Sequence, residues 1–375
     1  MQQTRAWFLA GMFLSILGGC HNHTASSNPS YSISVDREIL LREVKISPTA
    51  LTRLKDGGFV ITGGALTIRT NDRGAVLWKY SSSPDRSESA QGRFSSFAYG
   101  AALLSDGRIL LCGETRLNGW ASNAITILDK EGNLIERRTV APPSARSFKN
   151  SGFVKCFPWN DRISLVGYGN DGAAGYSWIV SLNEAGEDER QTLSPLPMDT
   201  MIPIPSASYL VLAGLPDEKT IALRQVGPDG SVRATATMPG QLSLFLRPTS
   251  TDAPTFIVTY AGRGEGKLHA LDVALHDIQS PVRIGDFDAS QGCGYALMDG
   301  SILPFGRQTY AAIGWIDKSG KPLAVKQFDE TRSGSYSMSQ AVALSDSAFV
   351  AIRYNVSTNV NEQGLIISWI TLHTS

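Results

Sequence analysis

The stretch from Tyr99 to Val140, YGAALLSDGRILLCGETRLNGWASNAITILDKEGNLIERRTV, recurs in variant form along most of the chain, and that recurrence limits the folds open to it. It reads as four short strands. AALL is followed by a turn at Ser105-Asp106-Gly107, RILLCG by a looser loop through Trp120, NAITIL by a turn at Asp129-Lys130-Glu131-Gly132, and LIERRTV closes the unit. A four-stranded unit whose inner strands are apolar on both sides cannot cover itself, so each copy must pack against the next.

Alignment on the second turn gives a column: Asn71-Asp72-Arg73-Gly74, Asp129-Lys130-Glu131-Gly132, Asn183-Glu184-Ala185-Gly186, Gly227-Pro228-Asp229-Gly230 and Asp317-Lys318-Ser319-Gly320. An Asn or Asp that caps the turn with its side chain, and a Gly that accepts positive φ, close a hairpin with a bulge. The glycines stand 58, 54, 44 and 90 residues apart. The last gap holds two periods, so one unit has lost its Gly, and residues 268–284, LHALDVALHDIQSPVRI, fit that place. Four positions before each Gly stand Thr70, Leu128, Leu182, Val226 and Ile316; seven before it stand Thr67, Ile125, Ile179, Leu223 and Ile313. An odd spacing puts the two columns on opposite faces, as a strand sandwiched between neighbours needs. Trp78, Trp178, Trp315 and Trp369 fall in or beside such strands and read as packing residues.

First turns occur at Asp56-Gly57-Gly58, Asp106-Gly107, Asn160-Asp161, near Ser206 and Asp252, at Asp299-Gly300 and at Ser345-Asp346-Ser347, which makes seven units. The seventh stops one strand short, while Arg37–Ser47 precedes the first unit and looks like the missing outer strand. The expected fold is therefore all-β: a single seven-bladed β-propeller over residues 37–375, its ring closed by the N-terminal strand joining the C-terminal blade. Length alone, 375 residues, would suggest two domains; the repeat decides for one. Lys+Arg and Asp+Glu are equal at 34 each and no basic run is present, which argues against a nucleic-acid partner.

Residues 1–20 carry an export signal: Arg5, an apolar run from Ala6 to Gly19 too short to span a membrane, and then Leu17-Gly18-Gly19-Cys20. LGGC resembles the lipobox of bacterial lipoproteins, and the resemblance implies that Cys20 is acylated and becomes the first residue of the mature chain. His21 in place of Asp implies, on the same resemblance, outer-membrane sorting facing the periplasm. Residues 21–36, rich in Ser, Thr and Asn, are expected to form a flexible tether. DGGFVITG followed by NDRGAVLWKY resembles the repeats of bacterial extracytoplasmic propellers, distantly those of the quinone-binding type.

Catalytic signatures are sparse. GRGEGK at 262–267 leads into a strand and so reads as a loop. His269 with Asp272, or His276 with Asp277, would place most ligands of a metal site on one blade; no metal and no cofactor is assigned. With Cys20 acylated, Cys112, Cys156 and Cys293 remain; Cys112 and Cys156 sit in apolar strands and are expected as buried thiols, with a bridge between them as the alternative.

The expected function is that of a membrane-anchored, non-catalytic, monomeric propeller binding an envelope or secreted protein, in a scaffold, assembly or immunity-type role. The alternatives are a propeller enzyme acting on a glycan or lactone, or a small-ligand sensor. The face opposite the tight turns carries the expected long loops, Ser81–Ala98, Glu114–Ser122, Ala141–Asn150, Ser194–Pro205, Ala261–Lys267 and Asn355–Gly364. On that face Arg93, Phe94, Phe97, Arg116, Trp120, Arg146, Phe148 and Lys149 combine the aromatic and Arg side chains that interface hot spots use, and are the expected partner-binding residues.

Overall fold

The computed structural model describes residues 29–375 apart from 47, 83–93, 144–146, 160, 188, 195–199, 205–208, 215–219, 228–230, 240, 246–254, 262–264, 273, 279, 284–292, 299–300, 306–310, 317–321, 328–335 and 356–362. Among the described residues, strands β1 to β28 form seven four-stranded sheets. Strand β1 (Tyr31–Leu41) precedes blade 1, which comprises β2 (Ala50–Arg53), β3 (Phe59–Gly63), β4 (Leu66–Thr70) and β5 (Val76–Ser81). Blade 2 holds β6 (Phe94–Leu103), β7 (Ile109–Leu117), β8 (Trp120–Leu128) and β9 (Leu134–Thr139). Blade 3 holds β10 (Asn150–Trp159), β11 (Arg162–Asn170), β12 (Gly175–Asn183) and β13 (Arg190–Ser194). Blade 4 is β14 (Thr200–Ile204), β15 (Tyr209–Gly214), β16 (Thr220–Val226) and β17 (Val232–Pro239). Blade 5 is β18 (Gln241–Phe245), β19 (Thr255–Ala261), β20 (Glu265–Leu271) and β21 (Val282–Arg283). Blade 6 is β22 (Cys293–Met298), β23 (Ser301–Phe305), β24 (Ala311–Ile316) and β25 (Pro322–Gln327). Blade 7 takes β26 (Tyr336–Ser345), β27 (Ala348–Asn355) and β28 (Gly364–Thr374), with β1 as its outer strand.

The fold is a seven-bladed β-propeller. First strands of successive blades stand beside one another, β2 by β6, β6 by β10 and β26 by β2. The expected two-faced columns are the core: Thr67, Thr70, Ile125, Leu128, Ile179, Leu182, Leu223, Val226 and Ile313 are all buried. Trp178 is fully buried, and Trp78, Trp315 and Trp369 pack against apolar clusters that join their blade to the next. Blade 6 departs from the simple meander: β22 pairs antiparallel with β23 and parallel with β24, so β23 takes the end of the sheet.

The second turns of blades 1, 2, 3 and 5 share one hydrogen-bond pattern. In Asn71–Gly74, Asn71 N–H donates to Ala75 O, Gly74 N–H donates to Asn71 O, and Asn71 Oδ1 accepts from Arg73 N and Ala75 N. Gly74, Gly132 and Gly186 all have positive φ, between 80° and 88°. The unit without its Gly repeats the pattern with Asp272 as cap and Leu275 at φ 67°, so the lost glycine is replaced by a left-handed leucine. Asp272 is thereby engaged as a turn cap.

These turns also hold the blades together. A Cβ on Gly132 would lie 2.5 Å from the Trp78 ring of blade 1, whose Nε1 donates to Lys130 O at 3.0 Å. Arg69 Nη1 of blade 1 reaches the same carbonyl at 2.7 Å. Blade 2 grips blade 3 in the same way, through Arg108 to Ala185 O and Arg138 to Gly186 O, both at 3.0 Å. At the ring joint Trp369 and Ile39 cover Gly74, and the Arg37 guanidinium lies 3.7 Å over the Trp369 ring while Nη2 donates to Asp72 O.

Ring closure is thus by β1, which starts at Tyr31 and ends at Leu41, where the sequence pattern suggested Arg37 to Ser47. Residues 31–36 belong to the strand: Ile33 and Val35 pack on the blade 7 core, and a register shift between Val35 and Arg37 makes Asp36 a bulge that masks the alternation. Glu38 Oε1 accepts from Arg353 Nη2 at 2.7 Å and from Ser368 Oγ at 2.8 Å, and Arg353 is nearly fully buried.

Two stability outcomes are expected. Gly107 has φ 87° but nothing within 4 Å of a Cβ, so Gly107→Ala should cost about 1–2 kcal/mol for the left-handed backbone alone. Gly132→Ala adds the collision with Trp78 and should cost about 3 kcal/mol or more; equal losses in urea denaturation would mean that the Trp78 contact contributes nothing. Glu38→Ala, which removes the acceptor shared by Arg353 and Ser368, should lower stability by about 1–3 kcal/mol, with Glu38→Gln milder because the amide oxygen still accepts. Wild-type stability in Glu38→Ala would show that this contact does not hold the joint.

Candidate partner-binding site

Of the expected partner-binding residues, Arg93, Arg146 and the side chain of Phe94 lie outside the described residues, as does Cys20, where acylation was expected. Phe94 and Phe97 belong to strand β6, where a loop through Ala98 was expected. The expected loop Glu114–Ser122 is a long hairpin instead: β7 and β8 pair from Ile109↔Leu128 out to Leu117↔Trp120. Only Asn118 and Gly119 turn the chain, with φ 53° and 84°, the two positive values of a type I′ turn. Likewise β14 occupies Thr200–Ile204 of the expected loop Ser194–Pro205, and β20 starts at Glu265.

The β7–β8 hairpin ends in an exposed apolar pair, Leu117 and Trp120, 58% and 55% exposed. Beneath it the strand carries a buried charge. Glu114 is 2% exposed, and Arg116 donates to its Oε1 through Nε at 2.6 Å and Nη2 at 2.5 Å. Tyr99 O–H donates to Oε1 at 3.2 Å and Tyr168 O–H to Oε2 at 3.0 Å. Three side chains thus converge on one buried carboxylate, which suits it to holding them in place. The Arg116 guanidinium lies 5.3 Å over the Phe97 ring, and half of the side chain remains exposed.

Local backbone devices make this possible. A register shift between Ala98 and Gly100 makes Tyr99 the extra residue of a bulge, its ring stacked with Phe97 at 6.4 Å. Tyr168 belongs to blade 3, and Glu114 reaches it only past Gly152, where a Cβ would lie 2.8 Å from Glu114 Oε2. The hairpin is pinned to blade 3 from its other strand as well: Ala121 N donates to Asn150 Oδ1 at 3.0 Å, and Asn123 N to Ser151 Oγ at 3.2 Å.

Phe148 and Lys149 immediately precede Asn150, so they adjoin the hairpin. The half-buried Phe148 ring packs on Trp178 at 5.4 Å, on Tyr176 at 5.8 Å and over Gly169, so its principal contacts are with blade 3 itself. Lys149 is exposed, with its side chain across Gly172. The structure therefore gathers Phe97, Arg116, Trp120, Phe148 and Lys149 at the junction of blades 2 and 3. Sequence reasoning missed Leu117, Glu114, Tyr99 and Tyr168. Asn118-Gly119 flanked by strand residues was the available signal for the hairpin; nothing in the sequence alone pairs Glu114 with a tyrosine 54 residues on. Elsewhere, His269 is buried with Nδ1 3.1 Å from both Asp277 oxygens, a side-chain pair within blade 5.

No protein-family model matches the chain, and no curated protein matches it. Among solved structures it is similar to a prolyl endopeptidase, at 14% identity over 88% of this chain and 51% of that one, with a TM-score of 0.50. It is similar to the Dos1 propeller at 9% identity, over 87% and 78% of the two chains, TM-score 0.49. The PQQ-bound aldose sugar dehydrogenase of Streptomyces coelicolor matches at 11% identity over 92% and 99%, TM-score 0.46. At such identities the likeness is one of fold.

The carboxylate leaves a mark in alkali. Burial and then the Glu114 charge raise the Tyr168 phenol from its usual 10 to about 12, and raise Tyr99 for the same reasons. A group whose folded pKa is raised contributes stability in full below its unfolded pKa and loses it as the pH climbs through the folded one. Stability should therefore fall between about pH 10 and 12. Tyr168→Phe, which has no proton to lose there, should show a shallower fall in melting temperature across that window, and parallel curves would count against the coupling.

Proposed function

We propose that this propeller is a non-catalytic binding module of the bacterial cell envelope, which captures a protein partner on the exposed end of the β7–β8 hairpin and the adjoining edge of blade 3. The observation that carries the reading is the pair Leu117 and Trp120, more than half exposed at the end of a two-residue turn. The strands behind it are fastened to blade 3 through Asn150, Ser151 and Tyr168. An aromatic anchor that is already ordered loses little entropy on binding, and a half-exposed Arg beside it supplies the polar partner that hot spots favour.

The topology supports the anchored part of the reading. Tyr31 pairs with Thr374 at the end of blade 7 that also carries the Asp346 turn, while the Leu41 end of β1 faces the β27–β28 connection. The chain thus enters the fold on the side of the tight turns, and the β7–β8 hairpin points to the other side. Residues 21–30 between an acylated Cys20 and the fold reach at most ~35 Å. A lipid anchor there, in the periplasmic leaflet of the outer membrane, would leave the Trp120 side turned to the periplasm.

Capture from detergent-solubilised membranes tests the reading. Leu117→Ala with Trp120→Ala, which leaves Arg116 on the buried Glu114, is expected to weaken recovery of a co-purifying protein at least tenfold, about 1.4 kcal/mol, with the melting temperature little changed. Lys130→Ala with Arg73→Ala, both exposed on the tight-turn side, should leave it intact. Loss in the second pair and not in the first would place the binding face on the wrong side, and Cys20→Ser should move the chain out of the membrane fraction.

A further inference from the structure

Cys112 of β7 and Cys156 of β10 come from different blades yet share one apolar cluster with Phe153, Leu165 and Trp178. Both are buried, 1% and 6% exposed, and both are free thiols. They face one another across the blade boundary, in one apolar cluster and over one glycine. The space in which they meet is the missing side chain of Gly100, where a Cβ would lie 3.0 Å from Cys112 Sγ and 3.2 Å from Cys156 Sγ. Thiols that served only to fill the core would have no need to be directed at each other over a glycine.

We propose that Cys112 and Cys156 are a dithiol pair that closes into a disulfide between blades 2 and 3 when the chain folds in the presence of a disulfide oxidant. One cysteine thiolate attacks the oxidant's disulfide and expels one thiol; the second thiolate attacks the mixed disulfide, forms the Sγ–Sγ bond and expels the other thiol. Two protons and two electrons leave the protein, and the oxidant is reduced to two thiols. Burial raises the Cys112 thiol well above its usual range, so the attacking thiolate is scarce once blade 3 has docked, and closure belongs to folding. The bond ties together the two blades that carry the hairpin, and its occurrence in cells rests on the export proposed above.

The test uses the full chain with Cys20→Ser, refolded from denaturant in a mixture of oxidised and reduced glutathione, then denatured and alkylated. One alkylated cysteine, Cys293, and a linked pair of peptides containing Cys112 and Cys156 are expected, with reduction lowering the melting temperature by several degrees. The same oxidant added to the folded, reduced chain should react at least tenfold more slowly. Three alkylated cysteines in the refolded chain, or a linkage through Cys293, overturns the pair. Cys156→Ala should leave two alkylatable thiols; should that variant not fold, the mass of the unchanged chain decides alone. In cells, the wild-type chain in the envelope fraction should be oxidised and a chain lacking residues 2–20 reduced. Absence from the envelope counts against export, whereas three free thiols after glutathione refolding count against the pair itself.

Discussion

The ring depends on how one blade meets the next, and at the junctions of blades 7 and 1, 1 and 2, and 2 and 3 that contact is made at a glycine. The Asx-x-x-Gly turn closes the outer hairpin of a blade, but its glycine serves two purposes. It accepts a positive φ, and it leaves a bare patch of backbone on which the preceding blade sets a large side chain: Trp78 on Gly132, Trp369 with Ile39 on Gly74, Leu104 and Ile127 on Gly186. The carbonyls of the same turns then accept Arg or Trp donors from that blade. A buried carbonyl without a donor would be costly, so packing and hydrogen bonding select the same register between blades.

The junction of blades 2 and 3 adds a second kind of contact. Glu114 is a charge inside the protein, tolerable because two phenols and a guanidinium share it. Its effect is directional: Arg116 is held over Phe97, and the strand that ends in Leu117 is fixed to Tyr168 of the neighbouring blade. Exposed apolar groups on a mobile loop would tend to fold back. On a paired hairpin they cannot, which is why Leu117 and Trp120 stay in water.

The repeat, the strand columns, the turn chemistry and the closing strand could be read in the sequence because each is a local pattern repeated several times. Features that occur once were hidden. Asn118-Gly119 was submerged in a stretch that elsewhere in the repeat reads as loop, and the Tyr31-Ile33-Val35 alternation was masked by serines and broken by the Asp36 bulge. The swapped order of β22 and β23 has no counterpart in the other blades, and local propensity does not distinguish parallel from antiparallel partners. At the site, Arg116, Trp120, Phe97, Phe148 and Lys149 could be named from residue type, whereas the carboxylate that organises them could not, since its partners come from two blades.

Leu275 shows how far such a pattern can bend. In the left-handed region a leucine costs about 1–2 kcal/mol more than glycine, and the turn at Asp272 keeps it there with the same bonds that its glycine counterparts make. The side chain is 2% exposed, and complete burial of a leucine is worth about 1.5–3 kcal/mol. Burial thus offsets the strain, and the turn of blade 5 buries a side chain of its own where the turn of blade 2 leaves bare backbone under Trp78. A glycine column in a propeller is therefore a record of where side chains from elsewhere arrive. Its one exception here marks a turn that supplies its own.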